Sequence, residues 1–98
     1  MSFPLSIKEG ARCDIGEVFQ RYGDISDKLA EEFLGRLDEA FQRIAAEPES
    51  YPRVFQDIRQ MRVRRFPYVV SYLFEDDRIV ILAVLHGHRN PSEWRHRG

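Results

Sequence analysis

Between Arg59 and His86 the chain passes through three β-favouring runs with almost nothing between them: Arg59–Phe66, Tyr68–Glu75 and Arg78–His86. Val, Ile, Tyr and Phe dominate these runs, the residue types that a pleated, half-buried surface prefers. Glu75-Asp76-Asp77-Arg78 is a short polar break between two apolar runs and reads as a hairpin turn. Pro67 has no N–H to give to a ladder, which puts it at a strand end or at the joint between the first two strands. Strands joined this tightly form an antiparallel meander, here with basic residues at one end.

The rest of the chain supplies the second layer. Phe3–Ile7 is a short apolar run containing Pro4 and reads as an edge strand. Ala11, Ile15, Val18, Phe19 and Tyr22 form the stripe of an amphipathic helix, with Asp14, Glu17, Gln20 and Arg21 on the other face and Gly23 as its stop. Ser26 caps a second helix, whose apolar positions are Leu29, Ala30, Phe33, Leu37, Ala40, Phe41 and Ile44. Leu34 lies off that stripe, and Pro48 ends the helix near Glu47. The break Gly23-Asp24-Ile25 is short enough to make the two helices an antiparallel hairpin. Residues 48–52 read as a rigid loop, and residues 90–97 as a helical turn or tail. The prediction is an α+β fold, β-α-α-β-β-β, with a helix hairpin on one face of a small, mainly antiparallel sheet and a short C-terminal tail or helical turn. Residues 1–98 make one domain.

Composition narrows the class. Hydrophobic residues are 43% and charged residues 32%, ordinary for a soluble globular chain. No apolar run approaches the ~18 residues of a membrane span, and MSFPLSIKEG lacks the regions of a signal peptide. The single cysteine, Cys13, forbids an internal disulfide and fits a cytoplasmic protein. The net charge of −1 conceals an asymmetry. Residues 1–50 hold six Lys/Arg against eleven Asp/Glu, net −5, and residues 51–98 hold nine against five, net +4, with all three histidines. An acidic helical half and a basic sheet half point to an anionic partner for the sheet.

Several residues carry candidate chemistry. By strand parity Met61 and Val63 face the helices, while Arg62 and Arg64 share the open face; Arg59 and Arg65 emerge at strand ends. Such arginines blunt an exposed strand in many proteins, but three within Arg62–Arg65 exceed what solubility needs. The last strand is apolar on both faces, through Ile79, Ile81, Ala83 and Leu85 and through Val80, Leu82 and Val84. The helix hairpin covers one face. The other needs a fold-back of the Trp94 segment, another subunit or a partner segment. His86 and His88 point the same way at a strand end, a pair of the kind that can bind a metal or transfer a proton. A metal needs further ligands, and only His96 and carboxylates are at hand, so no metal site is expected. His86 reads as a structural hydrogen-bonding group and Trp94 as a sealing aromatic.

One ordered pattern carries a resemblance. An arginine-rich strand runs into Arg65-Phe66-Pro67-Tyr68 and Tyr72, and a Val/Ile/Leu strand then runs into His86-Gly87-His88-Arg89-Asn90-Pro91 and Trp94. This resembles the RelE/ParE superfamily of bacterial type II toxins, its ParE-type and plasmid-stabilisation members above all. The resemblance implies a growth-inhibiting toxin of a toxin–antitoxin module. It implies a cognate antitoxin with an acidic, disordered C-terminal segment, and a heterotetramer among the assemblies formed. It implies no cofactor and no membrane association. ParE-type members poison DNA gyrase and are not nucleases. RelE-type members cleave mRNA on the ribosome with Lys and Arg on the sheet and a Tyr or His near the C-terminus. Here the lysines are Lys8 and Lys28 alone, and no Tyr follows Phe74, which favours gyrase. The alternative is an endoribonuclease using Arg62, Arg64, His86, His88 and Arg89; a third reading is a solitary, non-toxic member that only binds an antitoxin. The residues expected to meet target or antitoxin are Arg59, Arg62, Arg64, Arg65, Tyr68, Tyr72, His86, Arg89 and Trp94.

Overall fold

The structure, a computed structural model, describes residues 2–87. His88, Arg89 and Trp94, together with the expected C-terminal tail, lie outside the described residues. The elements run β1 (Leu5–Ile7), α1 (Glu9–Gly23), α2 (Asp27–Ala46), β2 (Arg53–Phe55), β3 (Ile58–Arg62), β4 (Tyr68–Glu75) and β5 (Arg78–His86). They form one sheet in the order β1-β5-β4-β3-β2. β1 is parallel to β5 and every other pair is antiparallel. The helix hairpin is the crossover that lets β1 reach the far edge, and it covers one face.

Most elements form for the reasons their residues suggest. Ser26 Oγ accepts the Leu29 N–H at 3.0 Å and caps α2. Ala30, Phe33, Leu37, Ala40 and Ile44 of α2 are buried, and Leu34 stays largely exposed off that stripe. The β4–β5 turn is a two-residue loop with Asp76 at φ 53° and Asp77 at φ 58°. Left-handed values at both positions match the twist of a hairpin, and aspartate tolerates them.

Three features differ from the sequence reading. First, the sheet has a fourth C-terminal strand. β2 pairs with β3 through a tight turn at Gln56 and Asp57, so the meander starts inside the stretch after the expected loop. Second, β3 ends at Arg62, and residues 63–67 are a turn rather than strand. Its bonds are Val63 N–H to Tyr68 O, 2.9 Å, and Phe66 N–H to Val63 O, 3.3 Å. Of Arg62 and Arg64, the first therefore ends the strand and the second sits on the turn. Third, β5 has a bulge. Tyr72 pairs with Ile81 and Ser71 with Ala83, which leaves Leu82 as the extra residue.

That bulge reverses the parity of the strand end. Ile79 and Ile81 face the helices; beyond the bulge Val84 does so too, in one core with Phe33, Leu37, Val70 and Tyr72. Leu82 and Ala83 both fall in the second cluster, with Ile58 and the partly buried Leu73, Val80 and Leu85. Ile79, Ile81, Ala83 and Leu85 thus do not share a face. On the second face, expected to need a cover, Leu82 and Ala83 are each 0% exposed, while Leu73, Val80 and Leu85 are partly buried.

Candidate functional site

Arg62, Arg64 and Arg65 form the basic end of the molecule. Arg62 pairs across to Val69, and Val69 to Leu85, so it tops a row on the face away from the helices. Below it Gln60 Nε2 donates to Ser71 Oγ at 3.0 Å. Arg64 and Arg65 are exposed at the tip of the β3–β4 turn, and Arg65 is held at φ 69°. Phe66, the next residue, is buried against Tyr22 and Phe33, with ring centroids 5.2 and 5.4 Å away. The turn is thus pinned from below while its two guanidiniums stand in solvent. Among the described residues, none of the three arginines has an ion pair or side-chain hydrogen bond.

The other expected site residues are differently employed. Arg59 donates from Nη1 to Tyr51 O at 2.6 Å and to Glu49 O at 3.2 Å, tying the loop after α2 to the sheet. Tyr72 is 0% exposed and donates to Pro48 O at 2.6 Å. Burial pushes its phenol up to about 12, although the Arg59 guanidinium pulls the other way. Tyr68 is buried among Tyr22, Phe33 and His86, and its hydroxyl accepts from Arg21 Nη1 at 2.8 Å. Burial, aided by the neighbouring Tyr68 phenol, raises the Tyr22 phenol as well. Tyr68 and Tyr72, expected to meet a partner, present no side chain to one; both are built into the core.

His86 ends β5 on the helix side, its ring 5.7 Å from that of Tyr68. It lines a cavity of about 30 Å³ with Asp14, Glu17 and Arg21, room for a water molecule and not for a substrate. Sequence reasoning placed Asp14 on the solvent face of α1. It is 8% exposed, and its Oδ2 accepts the Val84 N–H at 3.0 Å, next to the β5 bulge. Nothing in the amphipathic pattern signals this, because the bulge that turns Val84 towards α1 leaves no mark in an all-apolar strand. Among the described residues no group of three His, Cys, Asp or Glu is arranged to hold a metal.

A second surface belongs to the helices. Ile7, Ile15, Phe19, Leu34 and Phe41 line a groove of about 490 Å³, with Arg12 and Asp38 at its rim. Phe19 is 40% and Leu34 39% exposed, and the two share this one groove. Gly16 also lines the groove and has open space where a Cβ would stand.

The family model for the ParE toxin of the type II toxin–antitoxin system parDE matches residues 6–91. The chain belongs to the ParE toxin family. It is 32% identical over 93 residues to Toxin ParE2 of Mycobacterium tuberculosis, a match that spans 94% of this chain and 89% of that protein. Among solved structures the chain resembles the chromosomal ParDE system from P. aeruginosa, with a TM-score of 0.77 at 16% identity over 87% of this chain and 96% of that one. It also resembles the toxin–antitoxin complex RelBE2 from M. tuberculosis, with a TM-score of 0.61 at 22% identity over 88% of this chain and 99% of that one. A mutant of the E. coli toxin RelE in the free state gives a TM-score of 0.64 at 16% identity, over 99% and 98% of the two chains. The ParE and RelE branches therefore share this fold, and the fold by itself does not choose between their activities. Within a ParE-family chain, that choice falls to the side chains described above.

Proposed function

We propose that this chain is a growth-arresting toxin of the ParE type, neutralised by an acidic antitoxin segment, and that it acts on DNA gyrase without cleaving RNA. One observation carries the choice of target: Arg62 and His86 stand on opposite faces of the sheet. Cleaving RNA beside a 2′-hydroxyl needs a base, an acid and cations around one phosphoryl group. The β5 bulge sends His86 to the helix side, into the pocket of Tyr68 and Asp14. The hydroxyls of Tyr68 and Tyr72 are engaged and buried. The two lysines, Lys8 and Lys28, are on helix starts and not on the sheet. Among the described residues, the row around Arg62 then offers Gln60 and Ser71, neither of which is an acid or base at neutral pH.

For the antitoxin, the support is the apolar groove along α1 and α2. The apolar face of an amphipathic segment that folds on binding fits it. Related toxins of this fold are solved as ParDE and RelBE2 assemblies. The test is expression without antitoxin. Gyrase supercoiling should fall, a DNA-damage response should appear, and mRNA should stay intact. Cleavage of mRNA on purified ribosomes would replace this reading with the endoribonuclease. Normal growth with both activities absent would leave a member that only binds its antitoxin.

A further inference from the structure

We propose that the β3–β4 turn, residues 63–67, is the surface with which the chain grips its target, and that the matching patch on the target is an acidic protein surface. This rests on the reading of the chain as a toxin, but not on which molecule the toxin attacks. The first ground is the backbone. Arg65 has φ 69°, a left-handed conformation that crowds the Cβ of any L-residue and is the natural place for glycine. The turn would close more easily with Gly there. A long cation at such a position, exposed and with no partner among the described residues, indicates that its side chain serves something outside the fold.

The second ground is rigidity. Phe66 is only 7% exposed and wedged between Tyr22 and Phe33, while the Val63 and Phe66 N–H groups close the turn on either side. Arg64 and Arg65 are therefore presented from a fixed backbone, which lowers the ordering cost of a contact. The third ground is the neighbour across the aromatic cluster. Tyr22 O accepts from the N–H groups of Ile25 and Ser26, so the α1–α2 loop is anchored to the same cluster as the turn. Ile25 on that loop is 71% exposed, the most exposed large apolar side chain among the described residues. Cations and an unshielded apolar side chain thus stand at one end of the molecule.

Guanidinium groups suit carboxylates and phosphates alike. Two observations favour carboxylates on a protein. The rings at this end, Tyr22, Phe66 and Tyr68, are packed inward and offer no platform for bases. Ile25 adds an apolar contact, and arginine beside an apolar centre is the composition of a protein interface.

The experiment compares wild type with the double variants R64Q/R65G and R64K/R65K. Growth arrest, melting temperature and retention of a 20-base-pair DNA duplex are measured for each. Glycine keeps the left-handed turn, so R64Q/R65G should melt no lower than wild type. It should also lose about ten-fold or more of the growth arrest, the loss typical of a truncated interface arginine. The lysine pair keeps the charge and should retain part of the arrest, and wild type should not retain the duplex at physiological salt. Full arrest by R64Q/R65G overturns the proposal. A lowered melting temperature does so too, by making the turn structural. Duplex binding by wild type that weakens with salt and in R64Q/R65G replaces the acidic protein with phosphate. A wild type that arrests nothing fails at the toxin reading instead, a different result from an active wild type with an active variant.

Discussion

At the scale of single residues, identity alone did not reveal which tyrosines and arginines face a partner. Tyr68 and Tyr72 look like partner residues in a basic sheet, yet both hydroxyls have intramolecular bonds, to Arg21 and to Pro48. The usable signal is parity. Tyr68, Val70, Tyr72 and Phe74 share one face of β4, the same face that meets the helices, so their hydroxyls must find partners inside the molecule. Tyr72 makes this measurable. Its phenol is raised to about 12 by burial, above the 10.0 of an exposed tyrosine, because the folded state favours the neutral form that donates to Pro48 O. A raised folded value means the stabilisation is fully present below pH 10 and is lost as pH climbs from 10 towards 12. Tyr72→Phe should cost about 1–3 kcal/mol near neutral pH by leaving a buried carbonyl unmet. In urea titrations its midpoint should fall less than the wild-type midpoint between those two pH values. Parallel declines in the two proteins would show that Tyr72 is not the titrating group.

At the scale of elements, the helices, the edge strand β1 and the β4–β5 turn were legible, and β2 and the β5 bulge were not. α2 shows its period over five turns and carries a cap at Ser26, so pattern and local chemistry agree. β2 is three residues long with two of them exposed, too short to show an alternation. The β5 bulge is silent for another reason. Alternation reveals register only where one face is polar, and β5 is apolar on both. The bulge nonetheless decides the site, because it sends Val84 and His86 to the helix side. Asp14 of α1 holds that arrangement by accepting the Val84 N–H at 3.0 Å. Asp14→Ala strands that donor and should cost about 1–3 kcal/mol. Asp14→Asn keeps an acceptor and should recover most of the loss. Hydrogen exchange at Val84 should accelerate in the alanine variant and stay near wild type in the asparagine one. Equal stability in all three proteins would show that the bulge holds itself.

At the scale of the whole molecule, charge and apolar exposure are distributed over different elements, and this separates two surfaces. The guanidiniums of Arg62, Arg64 and Arg65 belong to β3 and the turn after it, whereas the groove of Phe19 and Leu34 belongs to the helix hairpin. The half-sequence charges of −5 and +4 anticipate this division, since the helices fall in the first half and the meander in the second. What the charges did not reveal is the groove, because Phe19 sits on what reads as the buried stripe of α1. It emerges because the sheet under α1 takes Ala11, Asp14 and Val18 instead, rotating Phe19 outward. On the proposed function, the groove receives the apolar face of the antitoxin segment, and the turn meets the target. Phe19→Asp and Leu34→Glu each remove partly buried apolar area and should lower stability by about 1–2 kcal/mol, which leaves a folded protein. On that reading, each should weaken binding of the acidic antitoxin segment by about ten-fold or more. Calorimetry of the wild-type complex should give a negative heat-capacity change, as apolar burial with coupled folding requires. The groove variants should still arrest growth, and should do so even when the antitoxin is co-expressed. That outcome separates neutralisation from toxicity by element. Unchanged antitoxin affinity in both groove variants would place the antitoxin elsewhere, and loss of arrest would make the groove part of the target surface.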